Sequence, residues 1–186
     1  MSALLLALAL LADAVPGIAE EGVPAPAPGA KESETARPLE PGALAPDFTV
    51  RDAAGQAFHF DAERGKSPCL LVFWSIFCEP CRLQMAVVQN LYMKFRDAGL
   101  RVVAVSLDGE PLGKVVAGFA KQEGYAFPVL LDGPDDRGTF KVADPYGVSG
   151  MPSTFLVGRD GRIAARWVGF AKGEELEKAV QSSLRP

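Results

Sequence analysis

The fold is decided by the stretch Cys69-Leu70-Leu71-Val72-Phe73-Trp74-Ser75-Ile76-Phe77-Cys78-Glu79-Pro80-Cys81. Its first part, Cys69 to Trp74, is continuously apolar, which is typical of a strand buried on both faces of a sheet. Its last part is a pair of cysteines separated by two residues. Apolar residues then recur every fourth position, and Gly99 provides a stop signal, so a helix is predicted to start at the pair. That row comprises Leu83, Val87, Leu91 and Phe95, with Val88 and Tyr92 beside it.

A second buried strand is predicted at Leu100–Leu107, and the strand–helix–strand order implies a right-handed parallel crossover. Upstream, the apolar residues of 45–50 and 57–60 flank the turn signal Ala54-Gly55 and predict a hairpin. Downstream, the pattern predicts a helix over 112–123, a strand over 127–131 and a brief helix over Val142–Tyr146 that is distorted by Pro145. Paired strands are predicted over 154–157 and 163–168. A last helix is predicted with Leu176, Val180 and Leu184 on one face. These elements together predict a mixed α/β sheet with helices on both sides.

The amino-terminal part has a different composition. An apolar run from Ala3 to Ala12 is too short for a membrane span of about 20 residues but fits a signal-peptide core of about 7–15. No Lys or Arg precedes the run, which leaves an atypical signal, a misassigned start, an uncleaved anchor or a buried helix open. We expect a signal peptide or short anchor over residues 1–19, a Pro- and Ala-rich linker over 20–43, and one domain over 44–186.

Composition excludes several functions. The net charge is -4 and no basic block occurs, so nothing indicates binding to nucleic acid or to an anionic membrane surface. The chain holds one histidine, His59, which rules out any site that needs several imidazoles. Three cysteines are too few for a disulfide-stapled miniprotein, whereas a pair plus one is typical of a redox or metal site.

Thiol–disulfide exchange is the chemistry that the pair favours. The first turn of a helix carries unpaired N–H groups and partial positive charge, which together stabilise a thiolate at Cys78 and lower its pKa. Pro80 suits this turn because it needs no N–H there. Cys81, one turn on, is predicted to be the more buried, resolving thiol. Glu79 opposes the dipole, so we expect a potential nearer to about -270 mV than to about -120 mV.

Other uses of the pair stay open at this point. It could be a structural disulfide, half of a zinc site, or the grip of a copper-handling assembly factor. A zinc site would need two more ligands, and only Cys69 and His59 could supply them. Cys69 fits a core residue or, alternatively, a regulatory thiol, and His59 is predicted to face solvent on the hairpin. The acidic run 132–137 is predicted to be a solvated loop, and no cofactor or metal is expected.

The segment 73–81, together with Gly150-Met151-Pro152-Ser153-Thr154-Phe155-Leu156-Val157, resembles the TlpA/ResA-type thioredoxin-like proteins. The opening Ala45-Pro46-Asp47-Phe48 and the segment 127–132 are also similar to that family. The resemblance implies a thioredoxin-like three-layer sandwich with an N-terminal hairpin and a central αβ insertion. It implies that Pro152 is cis, lies against the cysteine pair and offers backbone groups to the substrate. Met151 would then face the disulfide. Independently of the resemblance, Trp74 is predicted to pack beneath the active site.

The same resemblance implies a function and a setting. Such proteins are periplasmic or membrane-tethered reductases, here expected to act as a monomer. They receive electrons from a DsbD- or CcdA-type membrane protein and reduce partners such as apocytochromes c or copper-site assembly proteins. Three positions depart from the family pattern. Gln84 and Ala86 stand where Glu and Pro are common, and Gln84 cannot titrate. Phe77 replaces the Trp that commonly precedes the first cysteine in thioredoxins.

A thiol peroxidase is a further alternative, because peroxiredoxins share a similar opening. Those enzymes need Pro-x-x-x-Thr-x-x-Cys to bind peroxide. Here Ser75 occupies the hydroxyl position, but Leu71 replaces the proline.

Overall fold

The computed structural model describes residues 39–61 and 66–185 of the chain. The predicted signal peptide and most of the predicted linker lie outside these ranges. The strands are β1 Thr49–Asp52, β2 Ala57–His59, β3 Cys69–Trp74, β4 Arg101–Ser106, β5 Val129–Leu131, β6 Ser153–Val157 and β7 Ile163–Val168. The helices are α1 Glu79–Phe95, α2 Gly113–Gln122 and α3 Gly173–Leu184. None of the helices in the described ranges is long and apolar enough to cross a membrane.

The strands form a seven-stranded mixed sheet in the order β2-β1-β5-β4-β3-β6-β7. β3 lies parallel to β4, with α1 as the crossover, and β4 lies parallel to β5. β6 runs antiparallel to both β3 and β7. The predicted hairpin, parallel crossover and paired strands are therefore confirmed, and β3 has the predicted bounds. The thioredoxin-like fold class is confirmed with them.

The two faces of the sheet are covered differently. Side chains of β3 alternate between them: Leu70, Val72 and Trp74 point to one face, and Cys69, Leu71 and Phe73 to the other. Buried residues of α1, α2 and α3 all pack on the first face. Residues around Phe48, Phe60 and the turns near Tyr146 cover the second.

The brief helix predicted at Val142–Tyr146 is wrong. Residues 141–147 form successive turns, because Pro145 has no N–H to donate and Gly147, at φ 63°, ends the segment before a helix can propagate. The expectation of helices on both sides of the sheet fails for the same reason. The second outer layer consists of turns and of the chain around Phe48.

The buried face of α1 matches the prediction at Val88 and Leu91 but differs from it elsewhere. Leu83 is 60% exposed, while the buried residues are Cys81, Gln84, Met85, Val88 and Leu91. An α-helix turns about 100° per residue, so a strict spacing of four winds about 40° per step away from a fixed face. The true face combines spacings of three and four, and it brings Gln84 into the core.

Contacts of the packed domain begin upstream of Leu44. The backbone N–H of Leu39 donates to the carbonyl of Tyr146 (3.2 Å), and that of Gly42 donates to Ile163 (2.8 Å). Arg166 forms an ion pair with Glu40 at 2.7 Å. Residues 39–43, which the prediction assigned to the linker, therefore lie on the domain.

Candidate active site

Cys78 and Cys81 form a disulfide at the start of α1, with an S–S distance of 2.08 Å and a Cα–Cα distance of 5.2 Å. Cys78 is the N-cap residue, and its backbone is extended (φ -97°, ψ 105°). The N–H of Cys81 donates to the Cys78 sulfur at 3.3 Å. Pro80 occupies the first turn. A helix N-terminus therefore points at the Cys78 sulfur, which is the arrangement that favours negative charge on it.

The two sulfurs differ in access. Cys81 is completely buried, and it packs in the same apolar cluster as Trp74 and Met85. Cys78 is half-buried at the surface beside Phe77, whose side chain is 77% exposed. A reagent approaching from solvent therefore meets Cys78 first.

The Met151–Pro152 peptide bond is cis, as the family resemblance implies. Ser153 pairs with Phe73 in the antiparallel register of β6 with β3, so the next residue pair would bring Pro152 level with Trp74. Pro152 thus lies at the end of β3 from which the cysteine loop leaves. Its carbonyl accepts the N–H of Gly169 at 2.7 Å, and Met151 is 39% exposed beside it.

Gln84 lies fully buried on α1, one turn beyond Cys81. Its Oε1 accepts the N–H of Ala171 at 2.6 Å, which ties α1 to the segment before α3. Its Nε2 is buried and has no hydrogen-bond partner among the described residues. Gln84 thus acts as a one-sided hydrogen-bond bridge in the core beside the disulfide.

Trp74 is also completely buried, next to Phe119 and Tyr125, at ring-centroid distances of 5.8 and 6.0 Å. This places it in the cluster that contains Cys81. Burial, with a smaller contribution from the charge of Glu123, raises the pKa of Tyr125 to about 12. The tyrosine therefore stays neutral at physiological pH.

Asp108 is a site residue that the sequence analysis missed. Its carboxylate accepts hydrogen bonds from the Ser75 hydroxyl (2.6 Å), the Ile76 N–H (3.0 Å) and the Ser106 hydroxyl (2.6 Å). Ser75 Oγ in turn accepts the N–H of Phe77 at 3.1 Å. Asp108 follows β4, whose carboxyl end lies at the same edge of the sheet as that of its parallel neighbour β3. The sequence did offer one signal for this residue, because an acidic residue directly after the second of two parallel strands is expected at the same edge of the sheet as the end of the first.

The comparisons with known proteins agree with this geometry. The profile of the AhpC/TSA family matches residues 41–166. The chain belongs to this family. Thiol-disulfide oxidoreductase ResA of Bacillus anthracis is 32% identical over 139 residues, which are 75% of this chain and 76% of that protein. ResA of Bacillus subtilis (strain 168) is 34% identical over 125 residues, 67% of this chain and 65% of that protein.

Solved structures give the same result. A crystal structure assigned as the thiol:disulfide interchange protein DsbE of Chlorobium tepidum superposes with a TM-score of 0.68 at 32% identity, covering 79% of this chain and 99% of that one. StoA of Bacillus subtilis shares the fold, with a TM-score of 0.57 at 23% identity over 73% of this chain and 97% of that one. The protein is a thioredoxin-like thiol–disulfide oxidoreductase, and the predicted family and enzyme class are confirmed.

The zinc-site alternative finds no ligand set in this oxidoreductase. Cys69 is buried on the face of the sheet opposite Cys81, and His59 is an exposed hairpin residue bonded to Thr49 at 2.9 Å. Within residues 39–61 and 66–185 no group of three or more His, Cys, Asp or Glu side chains is placed to hold a metal ion.

The first residue of the acidic run does not lie in a solvated loop. Asp132 is only 3% exposed, and its carboxylate accepts the N–H groups of Lys141, Val142 and Ala143 at 2.9–3.1 Å. Burial raises the pKa of this carboxyl, and the backbone hydrogen bonds oppose that rise. Asp132 therefore organises the turns that cover the second face of the sheet.

Proposed function

We propose that this oxidoreductase reduces disulfides of exported proteins, with Cys78 as the attacking thiolate and Cys81 as the resolving thiol. The observation that carries the proposal is the unequal burial of the two sulfurs. Cys78 is half-buried at a helix N-terminus, whereas Cys81 is fully buried behind it. Only the first can reach a disulfide on another protein without unfolding of α1.

The proposed cycle moves two electrons from the dithiol to the substrate. The Cys78 thiolate attacks one substrate sulfur, forms a mixed disulfide and releases the other substrate sulfur as a thiolate. The Cys81 thiol then gives its proton to the released substrate thiolate or to water, and the resulting Cys81 thiolate attacks the Cys78 sulfur. This step forms the Cys78–Cys81 disulfide and releases the second substrate thiolate. An external dithiol donor must reduce the disulfide before the next turnover.

Recognition of the substrate falls to the residues around the disulfide. We assign Met151 and Pro152 to a segment that pairs with an extended substrate strand, and Phe77 to an apolar contact beside the attacking sulfur. The exposed side chains of Met151 and Phe77 support this assignment. Four further residues are assigned supporting roles around the cysteine pair. Two of them, Glu79 and Pro80, lie in the first turn of α1, and the other two, Gln84 and Trp74, are buried in the core.

The direction of electron flow is proposed to be reductive. Glu79 lies exposed in the first turn of α1, next to the reactive sulfur, and its charge opposes the favourable dipole. A less stabilised thiolate gives a more reducing pair, nearer to about -270 mV than to about -120 mV. Equilibration with glutathione measures this potential, and a value at the oxidising end would contradict the proposal.

The setting is proposed from the sequence at the amino terminus and from the relatives. The apolar run 3–12 suits export to the periplasm, by a cleaved signal peptide or a short anchor. Similarity to proteins named thiol-disulfide oxidoreductase ResA and thiol:disulfide interchange protein DsbE supports disulfide-containing proteins as substrates. From the resemblance to TlpA/ResA-type proteins we propose a donor of the DsbD or CcdA type and clients such as apocytochromes c or copper-site assembly proteins. We propose that the chain acts as a monomer.

Single-cysteine variants test the cycle. Cys78→Ser is expected to abolish reduction of insulin disulfides, and Cys81→Ser to accumulate mixed disulfides that dithiothreitol releases. Cys69→Ala is the matched control, since it removes the third cysteine from the opposite face of the sheet and should leave the rate unchanged. Full activity in Cys78→Ser, or no trapped species with Cys81→Ser, would refute the assignment. Proteins trapped by Cys81→Ser in the exporting compartment would identify the clients.

The thiol peroxidase alternative receives no support from the site. Ser75, which would have to bind the peroxide, donates its hydroxyl proton to Asp108 and accepts the N–H of Phe77. Rapid consumption of hydrogen peroxide by the reduced protein would reopen this alternative. Stoichiometric, tight copper binding by the same sample would favour the copper-handling one.

A further inference from the structure

The loop that carries the reactive cysteine is held by a single carboxylate just beyond the end of the neighbouring strand, β4. We call Asp108, Ser75 and Ser106 together the Asp108 clamp. Asp108 Oδ1 accepts from Ser75, and Oδ2 accepts from both Ser106 and the N–H of Ile76. The Ser75 hydroxyl oxygen also accepts the N–H of Phe77, and the Ser75 carbonyl accepts the N–H of Cys78 at 3.2 Å. Each of residues 75–78 is therefore fixed, directly or through one hydrogen bond, by the clamp.

The position of Asp108 is fixed in turn by contacts between its neighbour Gly109 and the chain that follows β5. The N–H of Gly109 donates to the carbonyl of Asp132 at 3.1 Å, and the chain at Gly109 lies against Gly133 so closely that a Cβ on Gly133 would meet the Gly109 Cα at 2.6 Å. Asp108 also follows β4, which pairs with β3 up to Trp74–Ser106. The carboxylate thus has a fixed position relative to both β3 and β5, and it can transmit that position to the loop.

We propose that Asp108 is a positioning residue of the thiol–disulfide exchange reaction, which keeps Cys78 at the N-terminus of α1 when the disulfide is reduced. In the oxidised protein the S–S bond ties Cys78 to the buried Cys81. After reduction that covalent tie is absent, whereas the hydrogen bonds of the clamp can still hold residues 75–77 against the end of β4. The clamp therefore stabilises the dithiol form more than the disulfide form. The inference rests on the proposed role of Cys78 as the attacking thiolate.

Asp108→Ala is expected to act on the redox equilibrium as well as on stability. It leaves the Ile76 N–H and two hydroxyl groups without their acceptor, and the loop loses its alignment with the N–H of Cys81. We expect the equilibrium constant with glutathione to move about tenfold towards the protein disulfide, which corresponds to about 30 mV for a two-electron couple. Alkylation of reduced Cys78 by iodoacetamide at pH 7 should also slow severalfold, because less of the thiol is ionised.

Two further variants at the clamp keep the test independent of folding defects. Asp108→Asn retains one carbonyl oxygen and an amide that can donate to Ser75, so it should show a smaller shift than Asp108→Ala. Ser75→Ala removes one link of the clamp and should shift the constant in the same direction. Both variants retain most of the packing at the site, so they carry the test if Asp108→Ala does not fold.

Asp52→Ala is the matched control. Asp52 accepts two backbone N–H groups, from Ala54 and Gln56 at 2.9 and 2.8 Å, in the turn between β1 and β2. β5 and β4 separate that hairpin from β3. Asp52→Ala should lower the melting temperature of both redox forms while leaving the glutathione constant and the alkylation rate at wild-type values.

The outcomes separate this inference from the proposed function. A wild-type glutathione constant in Asp108→Ala and Ser75→Ala, or an equal shift in Asp52→Ala, overturns the positioning role. Equal losses of melting temperature in the oxidised and reduced forms of Asp108→Ala overturn it as well. If Cys78→Ser still reduces insulin, the proposed function itself fails, whatever the clamp variants do.

Discussion

Gln84→Glu is expected to make the stability of the protein strongly pH-dependent. The side chain of Gln84 is completely buried, and Oε1 is already used by the N–H of Ala171. A glutamate fits the same space, and one carboxyl oxygen can keep that hydrogen bond. The second oxygen would replace Nε2, which has no partner among the described residues. The site therefore accepts a protonated carboxyl and disfavours a charged one.

The size of the effect follows from burial. Full burial raises the pKa of a carboxyl by about 3 units, from about 4.3 in the unfolded chain to about 7 in the folded one. The folded state then binds the proton more tightly, so the variant resembles the wild type below about pH 4.3 and loses stability as the pH rises to about 7. At about 1.4 kcal/mol per unit, the total loss of unfolding free energy is about 4 kcal/mol.

Urea unfolding of the oxidised proteins between pH 4 and 8 measures this loss. Gln84→Met is the matched control, because it has a similar volume and cannot titrate. It leaves the Ala171 N–H without an acceptor and should lose about 1–3 kcal/mol at every pH. A difference between Gln84→Glu and wild type that stays constant across the range would show that water reaches position 84, and the burial argument would be refuted.

Three other substitutions test separate parts of the structure. Gly133→Ala would place a Cβ 2.6 Å from the Gly109 backbone, so it should destabilise by about 1–3 kcal/mol in thermal unfolding and shift the glutathione constant with it. Asp132→Ala leaves the buried N–H groups of Val142 and Ala143 and the part-buried one of Lys141 unpaired, and we expect a loss of about 3 kcal/mol or more in urea, with 1-anilinonaphthalene-8-sulfonate binding to the uncovered face. Wild-type stability of either variant would contradict these contacts. Because the folded protein holds the pKa of Tyr125 at about 12, above its ordinary value of 10.0, stability should fall as the pH rises from 10 to 12. Tyr125→Phe should reduce that slope in urea unfolding, and an unchanged slope would count against the shift.

Local patterns were sufficient to predict the elements that hold the cysteine pair. β3 shows a continuous apolar run and the pair follows it directly, so the strand, the helix start and the position of Cys78 could all be read from neighbouring residues. The cis bond before Pro152 was predicted only through the family resemblance, because a proline between Met151 and Ser153 is equally compatible with a trans turn.

Features that depend on distant residues could not be read in this way. Asp108 lies 32 and 33 residues from the loop groups that it binds, and nothing around it in the sequence indicates those partners. The sequence around Asp132 resembles the start of a polar loop. Its burial depends on the backbone of residues 141–143, which packs against it in the fold and is distant in the sequence. The face of α1 was misjudged because an exposed leucine, Leu83, fits the apolar pattern as well as a buried one.

The unequal access of the two sulfurs also constrains the steady-state kinetics. If Cys78 is the one sulfur within reach, the electron donor and the client must both dock over the same few residues, and they cannot do so together. Turnover then alternates between two half-reactions, which predicts parallel lines in double-reciprocal plots and inhibition by excess of either partner. The concentration of oxidised clients would thus affect the rate at which the donor reduces the Cys78–Cys81 disulfide, with no second binding site involved.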